Sequence, residues 1–245
     1  MVRNVDYESR KKAILSATID RYINEATPVA SEDLADGFDL SSATIRSIFA
    51  GLEEDGYLMH PYTSGGRIPT EKGYRYYVDF LLAQMELLEE EKERILSEYK
   101  KEIKRLDDVL EKTSEIISVF THYTSIVSFT DWHDRFFYKG VSQILEQPEF
   151  QSPMKMRMLL EMIEDRRELL DIINRDLDGS LKVYIGRELG YPQMSNCSLV
   201  VSGYRIKDRQ SGRLAVLGPL RMQYNSIIPT LEYISEVLSE VLGNV

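Results

Sequence analysis

The feature that most constrains this chain is the dense helix punctuation in its first 75 residues. Ile14, Leu15, Thr18, Ile19, Tyr22 and Ile23 recur at three- and four-residue spacing, which predicts a helix over 8–25 with one buried face. Thr27-Pro28 ends it. Ser31-Glu32-Asp33-Leu34-Ala35 predicts a short second helix, with Ser31 as N-cap, acids in the first turn and Gly37 as its stop. Ser41 or Ser42 caps a third helix whose apolar face is Ile45, Ile48, Phe49 and Leu52, and Gly56 lies just past its end. A turn this short between the second and third helices predicts a helix-turn-helix. A hairpin follows: Tyr57 to His60 as one strand, Pro61 to Gly66 as the turn and Arg67-Ile68-Pro69 as the return. A hairpin in that place is a wing.

From Thr70 to about His122 little except Gly73 breaks a helix. Leu96, Tyr99, Ile103, Leu106, Leu110, Thr113, Ile117 and Phe120 alternate threes and fours in a heptad pattern. Such a helix either packs on its own domain or pairs with a second subunit. After residue 123 the texture changes. Strands are predicted at 123–129, 135–138, 181–185, 197–204 and 212–217, with helices over 153–174 and 226–242. Strands and helices mix without strict alternation, so the fold class is α+β with a mainly antiparallel sheet. The expected domains are 1–75, a winged helix-turn-helix; 76–122, a long connecting and dimerisation helix; and 123–245, a sheet-containing domain.

Catalysis finds no foothold in these residues. His60, His122 and His133 are scattered, without metal-ligand spacing. The single cysteine, Cys197, lies within an apolar strand, as an inert buried thiol does, and excludes an internal disulfide framework. Phosphate-loop, dinucleotide-fold and nucleophile-elbow motifs are absent from the sequence. The expectation is a non-enzyme with no cofactor and no metal. The apolar runs are far shorter than the ~20 residues that span a bilayer, and the N-terminus carries no apolar leader core, so the expected place is the cytoplasm, away from membrane.

DNA recognition has positive support. The third helix presents Ser41, Ser42, Thr44, Arg46 and Ser47 opposite its apolar face. In a helix-turn-helix those N-terminal turns enter the major groove. Small hydroxyls approach phosphates and base edges, and Arg46, the one cation on that helix, suits a bidentate contact to guanine. From the hairpin, His60, Tyr62, Thr63, Ser64 and Arg67 join the candidate set, followed by Lys72 and Arg75 on the next helix. Against this stands the charge: −10 for the chain, with 9 Lys and Arg against 13 Asp and Glu in residues 1–80. Phosphate contacts need a local basic face and not a basic total, but the acidity keeps a second reading open, a winged-helix protein-interaction or sensing module without operator binding.

The stretch SSATIRSIFAGLEEDGYLMHPYTSGGRIPTEKGYRYYVD resembles the HrcA family of bacterial heat-inducible transcription repressors. So do YINEATPVASEDL upstream and, in the C-terminal half, YKGVSQILEQPEF, VYIGRELGYPQMSNCSLVVSGYR and GRLAVLGPLRMQYNSIIPTLEYISEVL. The resemblance implies a repressor of chaperone operons. It implies a homodimer on double-stranded DNA carrying a CIRCE-type inverted repeat, a GAF-like C-terminal domain and modulation by the GroEL chaperonin. Departures fall on presumed DNA-facing positions: Tyr62 replaces a histidine, Gly65 an alanine and Ser47 an asparagine. The chain also runs almost directly from the Tyr123 strand into Tyr138-Lys139-Gly140, where family members carry a long further stretch that includes a dimerising domain. The 70–122 helix and the reduced sheet are therefore expected to take over pairing.

Overall fold

The computed structural model describes residues 2–61, 66–82, 86–99, 106–129, 136–175, 181–207 and 209–243. Two compact units divide the chain, Met1–Ala83 and Gln84–Val245.

The first unit holds α1 (Val2–Glu25), α2 (Glu32–Phe38), α3 (Ser42–Glu54), a hairpin of β1 (Leu58–Met59) and β2 (Ile68–Pro69), and α4 (Glu71–Leu81). Its core is the set of apolar side chains that the spacing marked: Ile14, Leu15, Ile19, Ile45, Ile48, Phe49 and Leu52, joined by Leu58, Tyr74, Tyr77 and Val78. Thr70 does two jobs at the start of α4. Its Oγ1 accepts from the Gly73 N–H and donates to the Gly56 carbonyl at 2.7 Å, so the α4 cap is bonded to the end of α3. Gly56 sits at φ +76°, which a residue without Cβ adopts freely. The Tyr77 hydroxyl donates to Asp20 and ties α4 back to α1.

Three local expectations are corrected here. Ser31 is buried and in helical conformation and makes no capping bond; the Asp33 carboxylate accepts from the Ala30 N–H instead. Gly37 lies inside α2, and Asp39 at φ +51° ends the helix in the left-handed region that aspartate tolerates. Residue 75 falls within α4, which packs on α1, so the N-terminal unit extends beyond that boundary.

The second unit begins with α5 (Glu89–Tyr99) and α6 (Leu106–Thr121), then β3 (Thr124–Phe129), β4 (Phe136–Lys139) and α7 (Val141–Leu145). After a 3-10 turn at Pro148–Phe150 come α8 (Pro153–Glu164), α9 (Arg166–Ile173) and β5 (Lys182–Ile185). Two further 3-10 turns precede β6 (Cys197–Ile206), β7 (Arg209–Pro219) and α10 (Tyr224–Gly243). The strands form one sheet, in the order β4-β3-β7-β6-β5, with every neighbouring pair antiparallel. Gly140, at φ +78°, turns the chain from β4 into α7, and a Cβ there would lie 2.6 Å from the Tyr123 carbonyl oxygen.

Both faces of the sheet are covered, so its central strands read as apolar runs and not as alternation. On one face lie α6 and α10, and α10 is bonded to β6 through buried hydroxyls that satisfy each other: Ser202 donates to Ser235 at 3.1 Å, and Tyr224 to Ser198 at 2.7 Å. On the other, Ile126, Leu199, Val201, Ala215 and Leu217 meet Ile144, Phe150, Leu159, Met162, Leu169 and Ile172. Two of the three C-terminal motifs are joined as well. Arg221, almost buried, donates to Gln147 at 3.0 Å and grips both carboxylate oxygens of Glu149, joining GPLRM to QPEF.

The long helix expected from Thr70 to His122 is corrected too: α4, α5 and α6 are separate helices. Of its heptad seam, Leu110, Thr113 and Ile117 are buried in their own unit, while Ile103 lies outside the described residues. Those three positions are occupied by intrachain packing, whereas Leu96 of the same seam is exposed. The helix expected over 153–174 is likewise two. Asp165 leaves helical geometry and its carboxylate caps α9 by accepting from the Arg167 N–H, which lets α8 and α9 each turn an apolar face to one core.

Candidate nucleic-acid interface

The third helix is built to be fixed on one side and open on the other. Ile45, Ile48, Phe49 and Leu52 anchor it in the core. Ser41 stands at its N-cap in extended conformation, and its Oγ accepts from the Thr44 N–H at 3.1 Å. The same Oγ lies 2.9 Å from Thr44 Oγ1, so Ser41 and Thr44 form one hydroxyl pair at the helix start. Ser41, Thr44, Arg46 and Ser47 are exposed and Ser42 is half-buried, so the structure brings together the five third-helix residues singled out from sequence. Ala43 and Ala50 are exposed beside them. Their methyl groups offer apolar contact of the kind a thymine methyl accepts; the signal was their spacing, seven residues apart on the stripe that holds Ser47.

Arg46 extends across to α2, where its Nη2 lies 3.1 Å from Glu32 Oε1, with the two side chains 65% and 63% exposed. The Glu32 carboxyl is held below its usual range, first by the backbone N–H it accepts from, then by Ser31 and Arg46. Glu32 went unremarked in the sequence beyond its place in the first turn of α2.

The hairpin residues divide. Tyr62, Thr63 and Ser64 lie outside the described residues. Arg67, expected among the DNA contacts, is instead turned inward. It is only 8% exposed, its Nε and Nη2 lie 3.1 and 3.0 Å from Glu53 Oε2, and its Nη1 is 3.0 Å from His60 Nδ1. Its backbone pairs with Val29 through reciprocal bonds of 2.9 Å. Arg67 therefore pins the hairpin to the end of α3 and to the segment before α2. His60 is exposed, but its ring is turned to Arg67.

Lys72 donates to the Asp55 carbonyl at 2.7 Å and lies 4.5 Å over the Tyr57 ring, where its charge complements the C-terminal end of α3. Arg75 lies 3.4 Å from Asp79. Lys11 is bonded to Asp55, whose carboxyl that contact lowers. Among the described residues no cluster of three or more His, Cys, Asp or Glu could hold a metal ion, and no helix is long and apolar enough to cross a membrane.

Three helices, a capped third helix with an open hydroxyl face and a hairpin pinned behind it define a winged helix-turn-helix protein, here joined to an α+β unit. Residues 128–228 match the family described as HrcA protein C terminal domain. The heat-inducible transcription repressor HrcA of Desulforudis audaxviator is 30% identical over an alignment covering 96% of this chain and 98% of that protein. That of Carboxydothermus hydrogenoformans is 29% identical, over 97% and 98%. A crystal structure of a hypothetical protein shares the fold, with a TM-score of 0.79 at 19% identity, covering 96% of this chain and 98% of that one. The chain belongs to the HrcA family of heat-inducible transcription repressors. The alignment with the Desulforudis protein runs over 337 residues against 245 in this chain, so that relative carries a stretch this one lacks.

Proposed function

We propose that this protein represses chaperone operons by occupying a CIRCE-type inverted repeat, with α3 in the major groove and Arg46 reading a guanine. The observation that carries the reading is the N-terminal half of α3: capped by Ser41, exposed at Thr44, Arg46 and Ser47 with Ser42 half-buried, and rigidly held by its buried opposite face. Rigid placement of a few polar side chains is what base readout requires. A homodimer would match the two half-sites of an inverted repeat. Its contacts are to be sought away from Leu110, Thr113 and Ile117, which serve the chain's own core.

The winged unit would read DNA, the Gln84–Val245 unit would carry pairing and response to heat or to the GroEL chaperonin, and the whole would work in the cytoplasm. Repression would be a matter of occupancy: a dimer on the operator excludes polymerase, and dissociation of the dimer or loss of a partner empties the site.

Fluorescence anisotropy against a labelled CIRCE-type repeat and a scrambled duplex, at two salt concentrations, tests this. Selective binding to the repeat that weakens with salt is expected. Equal binding to both duplexes would overturn it. Equal binding would favour instead a protein-interaction module, for which the observed support is the pairing of Lys11, Arg46 and Arg67 with the unit's own carboxylates.

A further inference from the structure

We propose that Glu32 is a specificity-determining residue, one that withholds Arg46 from phosphates and releases it only to a base edge; the inference rests on the repressor reading above. Arg46 is the only cation on α3. Its guanidinium is met by a carboxylate from the other helix of the motif, at 3.1 Å, and both groups stand in solvent at the face that would approach DNA. Glu32 is anchored for this task. It opens α2, and the Ser31 hydroxyl donates to its carboxylate at 3.1 Å.

Two consequences follow from charge. The carboxylate lies close to where phosphates would pass, so it repels the backbone of any duplex regardless of sequence. It also competes for the guanidinium. A single phosphate oxygen offers Arg46 little that Glu32 does not, whereas guanine O6 and N7 accept two parallel N–H bonds in the groove and repay the loss of the pair. Non-specific binding is thereby taxed more than specific binding, which raises the ratio between them. Because exposed ion pairs are weak, the effect is modest, about two- to five-fold.

The test is Glu32→Gln, which keeps shape and removes charge, measured by anisotropy on the CIRCE-type repeat, on the same repeat substituted one base pair at a time, and on a scrambled duplex. Affinity for the scrambled duplex is expected to rise about two- to five-fold, with a smaller rise on the repeat and a salt slope steeper by about one. Base preference should flatten at the one pair that Arg46 reads, and in an Arg46→Ala background Glu32→Gln should no longer alter the ratio of repeat to scrambled binding. Wild type that selects the repeat while Glu32→Gln keeps the same ratio overturns the inference alone. So does a change in ratio that persists without Arg46. Wild type that fails to distinguish the duplexes overturns the repressor reading and the inference with it.

Discussion

The Tyr99 hydroxyl donates to Thr113 Oγ1 at 2.9 Å, across fourteen positions of sequence. On one continuous helix the two residues would stand about 21 Å apart. The bond therefore requires that α5 and α6 fold back on each other. The Thr113 hydroxyl in turn donates to the Val109 carbonyl at 2.8 Å, which closes the network in the interior. Burial pushes the Tyr99 phenol well above its usual range. Tyr99→Phe is expected to lower unfolding free energy in urea by about 1 kcal/mol. Thr113→Val should do the same, and the double variant should cost less than the sum. Strict additivity would show that the two groups do not act on each other.

Arg46→Ala should weaken repeat binding by roughly 1–3 kcal/mol and relax preference at one base pair, leaving unfolding free energy within about 0.5 kcal/mol of wild type. Arg46→Lys keeps the charge but not the fork, so it should recover phosphate affinity without recovering discrimination. Competition against single-pair variants of the duplex reads this directly, and unchanged preference in Arg46→Ala would remove Arg46 from the readout.

Arg67 predicts the opposite pattern. Removing it leaves Glu53 and His60 facing a gap under the hairpin, so Arg67→Ala should cost roughly 1–3 kcal/mol of unfolding free energy. Its effect on DNA should follow from a displaced hairpin: all duplexes weakened alike, with no change in salt slope in the milder Arg67→Lys. A slope reduced by one, with stability untouched, would make Arg67 a phosphate contact instead.

Cys197 is 2% exposed, and burial pushes its thiol up to about 12. It should resist a disulfide reagent at pH 8 in the native protein and react once denaturant unfolds the sheet. Rapid stoichiometric labelling of native protein would contradict this placement.

Glu232 in α10 carries a raised carboxyl pKa, first from desolvation and then from Glu236 one turn on. A carboxyl raised in the folded state disfavours folding when ionised and is neutral to it when protonated in both states. Glu232→Gln should therefore raise the melting temperature at pH 7, by less than about 1 kcal/mol equivalent for so exposed a pair, and the gain should vanish below pH ~4. An equal gain at both pH values would point to packing instead of charge.

The sequence by itself determined the first unit and the broad character of the second. Caps and glycines act over four or five residues, so Ser41, Thr70 and Gly56 declare the ends of α3 and the start of α4 wherever the rest of the chain lies. Apolar spacing likewise declares the buried face of α3, and with it the open face of hydroxyls and Arg46. The exposed face of α3 was legible for that reason. Partnership between distant residues was not. A periodic run from 70 to 122 is compatible with one helix or several, and only the Tyr99–Thr113 contact and the burial of Leu110 and Ile117 separate them. Asp165 reads as one more polar residue on a helix until the core beneath demands a break there. An arginine in a hairpin looks the same in sequence whether it reaches outward or, like Arg67, inward to Glu53 fourteen residues back. Glu32 and Arg46, equally far apart, meet because the turn of the motif sets α2 against α3. Local signals are energies of neighbouring atoms along the chain, and the chain carries them everywhere. Which charge meets which is an energy of atoms brought close by the fold, and only the tertiary structure decides it.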